Sequence, residues 1–296
     1  MTNRCFCCAR KCGVDRRNTA SFCAPNDKLL VSRAALHFWE EPCISGEKGS
    51  GTIFFSGCNL RCIYCQNYEI STYCKGLEIS IERLKEIYFE LIEQGAHNIN
   101  FVTPAHFSDA ILASLDDLEL PVPIVFNTNG YDSVENLKRF ENKVQIYLPD
   151  IKYADDELAF KFSHAPNYFA AAKAAINEMF RQRGPYVMDE NGMLKSGVVI
   201  RHLILPGHLD NSKKVIDYVA ERFKPGEVLF SLMRQYTPCG DVAEYPELCR
   251  TLSDDEYNEV EEYLFESGIE DGFVQDKESA VQDFIPPFNG EGVLKK

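Results

Sequence analysis

Apolar runs recur along the chain, separated by stretches with helical spacing. The runs are TIFFS (52–56), NINFVT (98–103), PIVFNT (123–128), VQIYLP (144–149), GVVIRHLIL (197–205) and EVLFSLM (227–233). Helical patterns begin near Ile79, Phe107, Ser133, Asp155, Asn211 and Ser253. Ser253-Asp-Asp-Glu256 fits a capping box, while Ser80 and Arg83 resemble one loosely. Strands alternating with helices read as a parallel α/β sheet. The eight units of a closed TIM barrel occupy about 250 residues. This region has room for roughly six. The expected fold is therefore α/β, an open, partial (β/α)6 TIM-like barrel with an N-terminal cysteine-rich extension. In such folds the chemistry lies at the C-terminal ends of the strands.

The same pattern divides the chain. Residues 1–45 form a basic, cysteine-rich head with little apolar periodicity, expected to fold around a bound ion. The linker-like GEKGSG (46–51) opens a barrel over 46–250. Residues 251–296 read as a C-terminal helix and an irregular tail, FIPPFNGEGVLKK, packing on the barrel. There is no internal repeat and no low-complexity tract.

Composition narrows the class. The 296 residues are 45% hydrophobic and 26% charged, which is globular. No apolar stretch approaches the roughly 18 residues of a membrane helix. The N-terminus has no apolar core of a secretory signal, so a cytoplasmic location is expected. A net charge of −14 disfavours nucleic acid as a partner and leaves protein or small-molecule substrates open. In a cytosolic chain, twelve cysteines point to metal or redox chemistry rather than to disulfides.

The densest chemistry follows the first run, in Gly57-Cys58-Asn-Leu-Arg-Cys62-Ile-Tyr64-Cys65. Three thiolates on one loop can hold three corners of a [4Fe–4S] cube and leave one iron open to a ligand. Gly57 lets the loop turn sharply. The competing reading is a structural zinc loop completed by a distant ligand, although zinc usually takes paired C-x2-C knuckles. A second set, Cys5, Cys8, Cys12 and Cys23, suits zinc or another cluster. Cys7 and Cys43 are alternative ligands there, and buried free thiols are the plainer alternative. Cys74, Cys239 and Cys249 stand alone and read as structural. Of these, Cys239 follows the sixth run, near the expected mouth. Lys152 and Arg201 lie at or near strand ends, where cations suit a carboxylate or a salt bridge in the barrel mouth. His202 alternates with Arg201 on one strand, so the two face opposite ways. His106 faces a substrate or simply starts a helix.

Cys58-x3-Cys62-x-Tyr64-Cys65 resembles the signature of the radical S-adenosylmethionine (SAM) superfamily. GTIFFSGCNLRCIYCQN, NTNGY (127–131), LPDIKY (148–153) and IRHLILPG (200–207) are similar, in order, to the branch related to pyruvate formate-lyase activating enzyme. LHFWEEPCISGEKGSGTIFFSGCNL and QGAHNINFVTPAHF resemble signatures of a poorly characterised subfamily within it. The resemblance implies a [4Fe–4S] cluster on Cys58, Cys62 and Cys65, with SAM on the open iron. It implies that Tyr64 lies near the adenine and that Lys152 and Arg201 contact the cofactor. Asn127, Thr128, Asp150 and the Leu148 carbonyl resemble a monovalent-cation site, with Asn127 where the relative has aspartate. Thr103-Pro-Ala-His106 stands in place of the family's Gly-Gly-Glu, so Thr103 is expected to replace contacts to the cofactor. Tyr236 stands where the relative has a histidine near the adenine.

These features lead to a radical enzyme that cleaves SAM reductively and abstracts hydrogen from a substrate. By resemblance the partners are an electron donor such as flavodoxin or ferredoxin and either a glycyl-radical enzyme or a small molecule. The alternative is a non-catalytic iron–sulfur electron carrier or metal-binding module, which leaves the βα units and the Lys152/Arg201 mouth unexplained.

Overall fold

The structure, a computed structural model, describes residues 4–275 and 285–295. Ten strands form one sheet: β1 (Leu30–His37), β2 (Ser50–Phe55), β3 (Leu77–Glu78), β4 (Ile99–Val102), β5 (Ile124–Thr128), β6 (Ile146–Pro149), β7 (Val187–Met188), β8 (Leu194–Leu203), β9 (Leu229–Met233) and β10 (Gly272–Val274). The six expected runs are β2, β4, β5, β6, β8 and β9, all parallel and adjacent in that order. The partial barrel is therefore present. Among the described residues the sheet ends at β10 on one side and at β1–β3 on the other.

Among the described residues nine α-helices follow in chain order: α1 (Pro42–Ser45), α2 (Tyr68–Ser71), α3 (Ile81–Glu93), α4 (Ser108–Leu115), α5 (Val134–Lys138), α6 (Asp156–Ser163), α7 (Tyr168–Arg183), α8 (Leu209–Arg222) and α9 (Asp254–Glu266). The stretch opening at Asp155 is two helices, because His164 and Asn167 both take left-handed backbone conformations between α6 and α7. Ser253 and Glu256 complete the capping box of α9, whereas Ser80 caps α3 without a reciprocal partner.

The structure adds strands that the pattern did not show. Residues 30–37, within the segment read as an ion-binding head, form β1, which pairs antiparallel with β2. Its LVSRAALH sequence hides the strand, because Ser32 and Arg33 interrupt the apolar run. Ser32 is buried and bonds Ser56 and the Lys75 carbonyl, while Arg33 pairs with Glu291. The three-residue β10 extends the parallel sheet beyond β9. The tail lies along β1, where the Glu291 carbonyl accepts from Ala34 and Val293 is fully buried. Phe284 and Lys296 lie outside the described residues.

Three apolar clusters position the site. The largest fills the space between sheet and helices. An aromatic cluster of Tyr64, Tyr131, Tyr153, Phe162, Tyr168 and Tyr236 surrounds Cys58 and Cys62. The third lies inside the barrel at its lower end, where Cys43 and Ile44 of α1 pack on Val125, Ile146, Leu148, Val199 and Leu229. Short α1 is thus a plug. β1 runs antiparallel to β2, so residues 38–45 return to the N-terminal ends of the parallel strands.

Candidate functional site

One cavity of about 610 Å³ opens at the C-terminal ends of the parallel strands. Cys58, Cys62, Tyr64, Cys65, Thr103, Asn127, Asp150, Lys152 and Arg201 all line it. The sequence reading therefore gathers residues up to 143 positions apart (58 to 201) around one space.

The cysteine loop leaves β2 through Gly57, whose φ is +92°. A Cβ there would lie 2.0 Å from the Cys23 carbonyl oxygen, so only glycine fits beneath the head. No cysteine is in a disulfide. Two of the three loop sulfurs are reached by neutral donors. Asn129 Nδ2 and the Leu60 amide donate to Cys58 Sγ, both at 3.4 Å, and the Ser163 hydroxyl donates to Cys62 Sγ at 2.9 Å. Such donors suit ligating thiolates. Burial above all, with the neighbouring thiols, pushes the Cys62 thiol up to about 12. Cys62 and Cys65, both raised, would stay protonated without a cation, and a bound metal reverses that. Among the described residues no group of three or more His, Cys, Asp or Glu side chains forms a ready single-ion cage. Thiols that ligate separate irons of a cube need not converge on one point.

A hydroxyl chain backs the loop. Tyr64 Oη lies 2.7 Å from Tyr153 Oη, which lies 2.6 Å from Ser163 Oγ. Tyr64 and Tyr236 meet with ring centroids 6.0 Å apart, and the Tyr236 hydroxyl donates to the Leu248 carbonyl. Tyr236 is thus close to Tyr64 but contributes no lining surface to the cavity.

The charged wall is a compact network. Arg201 donates from Nε to Asp150 at 2.9 Å, from Nη1 to Glu40 at 2.8 Å and from Nη2 to Asn127 at 2.7 Å. Lys152 Nζ donates to Asp150 at 2.7 Å. Burial raises Asp150, but Arg201 and Lys152 outweigh it and hold the carboxyl below its usual range. Tyr168 Oη fixes the turn, accepting from the Lys152 amide at 2.9 Å and donating to the Asn129 carbonyl at 2.8 Å. Asn127 and Asp150, read as donors to a monovalent cation, turn their side chains to Arg201, and Thr128 bonds Asp132. The structure thus has an arginine among the donors where the resemblance implied an ion. Thr103 takes φ +57°, with its amide donating to Asn127. A β-branched residue in that region is strained.

His106 and His202 are structural. His106 is buried, with Nε2 2.8 Å from the Ser56 carbonyl, and burial lowers it to about 3. It holds the end of β2 and does not line the cavity. His202 points away from Arg201, between the Ile151 carbonyl and Ser212 of α8.

The head covers the cysteine loop. Arg10 donates to the Asn59 and His164 carbonyls, and Arg16 donates to the Asn26 and His106 carbonyls. Cys8 and Cys23 are buried, Cys5 is half-buried and Cys12 is exposed. Burial pushes Cys8 up to about 12, and a hydrogen bond from Cys7 brings Cys5 down to about 6.

Sequence reasoning missed Glu40, Glu41, Asn59, Asn129, Tyr153 and Ser163 as site residues. Apart from Ser163, all lie inside segments quoted above for their resemblance. Nothing in the local pattern marks which of those side chains turn inward.

Comparison with known proteins fits this geometry. The Radical SAM superfamily model matches residues 52–219. An uncharacterized protein of Methanocaldococcus jannaschii is 30% identical over 269 residues, covering 88% of this chain and 73% of its own. Among solved structures, HydG, a maturase of the [FeFe]-hydrogenase, matches with TM-score 0.52 at 14% identity. That match covers 79% of this chain and 53% of HydG. HydG from Carboxydothermus hydrogenoformans gives TM-score 0.50 at 15% identity, covering 88% of this chain and 58% of that one. At such identities the likeness concerns the fold, and this chain spans a little over half the length of either HydG. The chain belongs to the radical SAM superfamily, a class of enzymes that bind S-adenosylmethionine at a [4Fe–4S] cluster. Among the described residues no helix is long and apolar enough to cross a membrane.

Proposed function

We propose that the chain is an oxidoreductase of the activating-enzyme type, with Cys58, Cys62 and Cys65 holding the cluster and the cavity wall holding SAM. The observation that carries this is the meeting of the three cysteines, Tyr64 and the Asp150–Lys152–Arg201 network around one space. Held by Cys58, Cys62 and Cys65, the cluster would supply the one-electron chemistry for reductive cleavage of S-adenosylmethionine and hydrogen abstraction from the substrate. The protein's own part is positional. Asn129 and Ser163 donate to the ligating sulfurs and set their orientation. Lys152 and Arg201 offer cationic heads to the cofactor's carboxylate, and Asp150 keeps both in place. Tyr64 gives the adenine a ring to lie against. Thr103, at the mouth, offers its hydroxyl and strained backbone. The head shields the loop from water. The electron comes from a donor of the flavodoxin or ferredoxin kind. An electron carrier would have no use for so enclosed and charged a cavity.

The test is anaerobic reconstitution with iron and sulfide, then reduction with SAM present. Deoxyadenosine should form, and Cys58→Ala, Cys62→Ala and Cys65→Ala should each abolish it. Wild-type rates in those variants would sink the assignment.

A further inference from the structure

Two carboxylates that cofactor handling leaves unused sit at the closed end of the cavity. Glu40 and Glu41 lie between β1 and the α1 plug, and both line the cavity. Glu40 is fully engaged. It accepts from Arg201 at 2.8 Å, from Asn127 at 3.0 Å and from Asn100 at 3.4 Å. Glu41 is different. It is only 7% exposed, and its Oε2 is buried with no hydrogen-bond partner among the described residues. Arg201 Nη1 lies 3.9 Å away, too far for a hydrogen bond. A carboxylate oxygen stripped of water and left without a donor is costly, so such a group persists where a ligand completes it.

Glu40, Glu41 and Asp150 line the cavity as acids, against Lys152 and Arg201 as bases. His37 also lines it, but burial lowers it to about 4, so it adds no charge near neutrality. Among the described residues the lining therefore carries one more acid than base, an excess that S-adenosylmethionine, with its single net positive charge, would itself meet. The indole of Trp39 lines the same cavity and adds a ring of the kind that ammonium and guanidinium groups seek.

We infer that Glu41, supported by Glu40, recognises a positively charged group of the substrate, so that the substrate is an amine- or guanidine-bearing small molecule or side chain. The inference rests on the radical reading for the reaction, but the binding it describes stands apart from catalysis. The sulfonium end of a bound cofactor would lie at the cysteine loop, whereas Glu41 lies beyond Arg201, 3.9 Å from it and next to the plug.

The experiment uses reconstituted, SAM-saturated protein and isothermal titration with four probes of one length: n-butylamine, n-butylguanidine, n-butanol and butyrate. Saturable binding of the two cations alone is the expected result, with Glu41→Gln weakening it at least tenfold and Glu41→Asp retaining part of it. Equal binding of butanol, preference for butyrate, or cation binding untouched by Glu41→Gln would each overturn the inference. So would a Glu41→Gln protein that loses SAM affinity while keeping its cation affinity. The wild-type probe series stands even if a variant folds poorly. Deoxyadenosine formation without probes is measured on the same sample. Its absence sinks the radical reading, and absent cation selectivity sinks only this one.

Discussion

Arg201 joins more of the cavity than any other side chain described above, since Asp150, Glu40 and Asn127 all depend on it. Breaking one partner of a buried ion pair costs about 3–5 kcal/mol, because the other charge stays behind. Arg201→Met should lower stability to urea by that order and remove SAM binding, read by equilibrium dialysis. SAM binding at wild-type affinity in that variant would rule out its role. Glu41 behaves oppositely. Burial raises its carboxyl to about 6, above the 4.5 of an unburied glutamate. A raised acid stabilises the fold below its unfolded value and loses that as pH rises through its folded value. Glu41→Gln should therefore unfold at higher denaturant than wild type at pH 8, by about 1–2 kcal/mol, and show little difference at pH 4. An equal gap at both pH values would contradict this. Lys152 and Arg201 were legible in the sequence because a cation at a strand end has few roles. Glu40 and Glu41 were not, because their importance depends on a loop turning back under the barrel.

Elements were legible where a single force dominates. The parallel strands announce themselves as apolar runs because both faces are buried. β1 carries Ser32 and Arg33 inward and sideways to partners far along the chain, so its pattern breaks. α1, at four residues, has no periodicity to read. The turn from β2 into the cysteine loop tests whether the head matters to the site. Gly57→Ala would drive a methyl group into the Cys23 carbonyl and strain a positive φ. The expected result is a reconstituted protein with reduced iron content and slower deoxyadenosine formation, while its circular dichroism remains native. Wild-type iron loading would show that the head can move aside freely.

At the scale of the whole molecule, buried neutral histidines set the response to acid. Burial lowers His106 to about 3 and His202 to about 4, against 6.5 when exposed. The unfolded chain takes up these protons first, so stability is complete above about 6.5 and falls as pH drops toward 4. Each histidine contributes up to about 1.4 kcal/mol per pH unit, partly offset by Glu41 taking up a proton. The urea midpoint should fall between pH 7 and pH 5, and His202→Gln should flatten that fall. A midpoint constant across the range would refute it. The tail lying on β1 has a different consequence. Arg33 and Glu291 are 258 residues apart in sequence, and Arg83 reaches Val293 across 210. Pairings so distant form late, because loop closure precedes any reward. During synthesis the first strand therefore waits, its edge uncovered, until residues 290–293 have left the ribosome. β1 and the segment that covers it are one late folding event, and a protein lacking residues 285–296 should depend on chaperones rather than lose its chemistry outright.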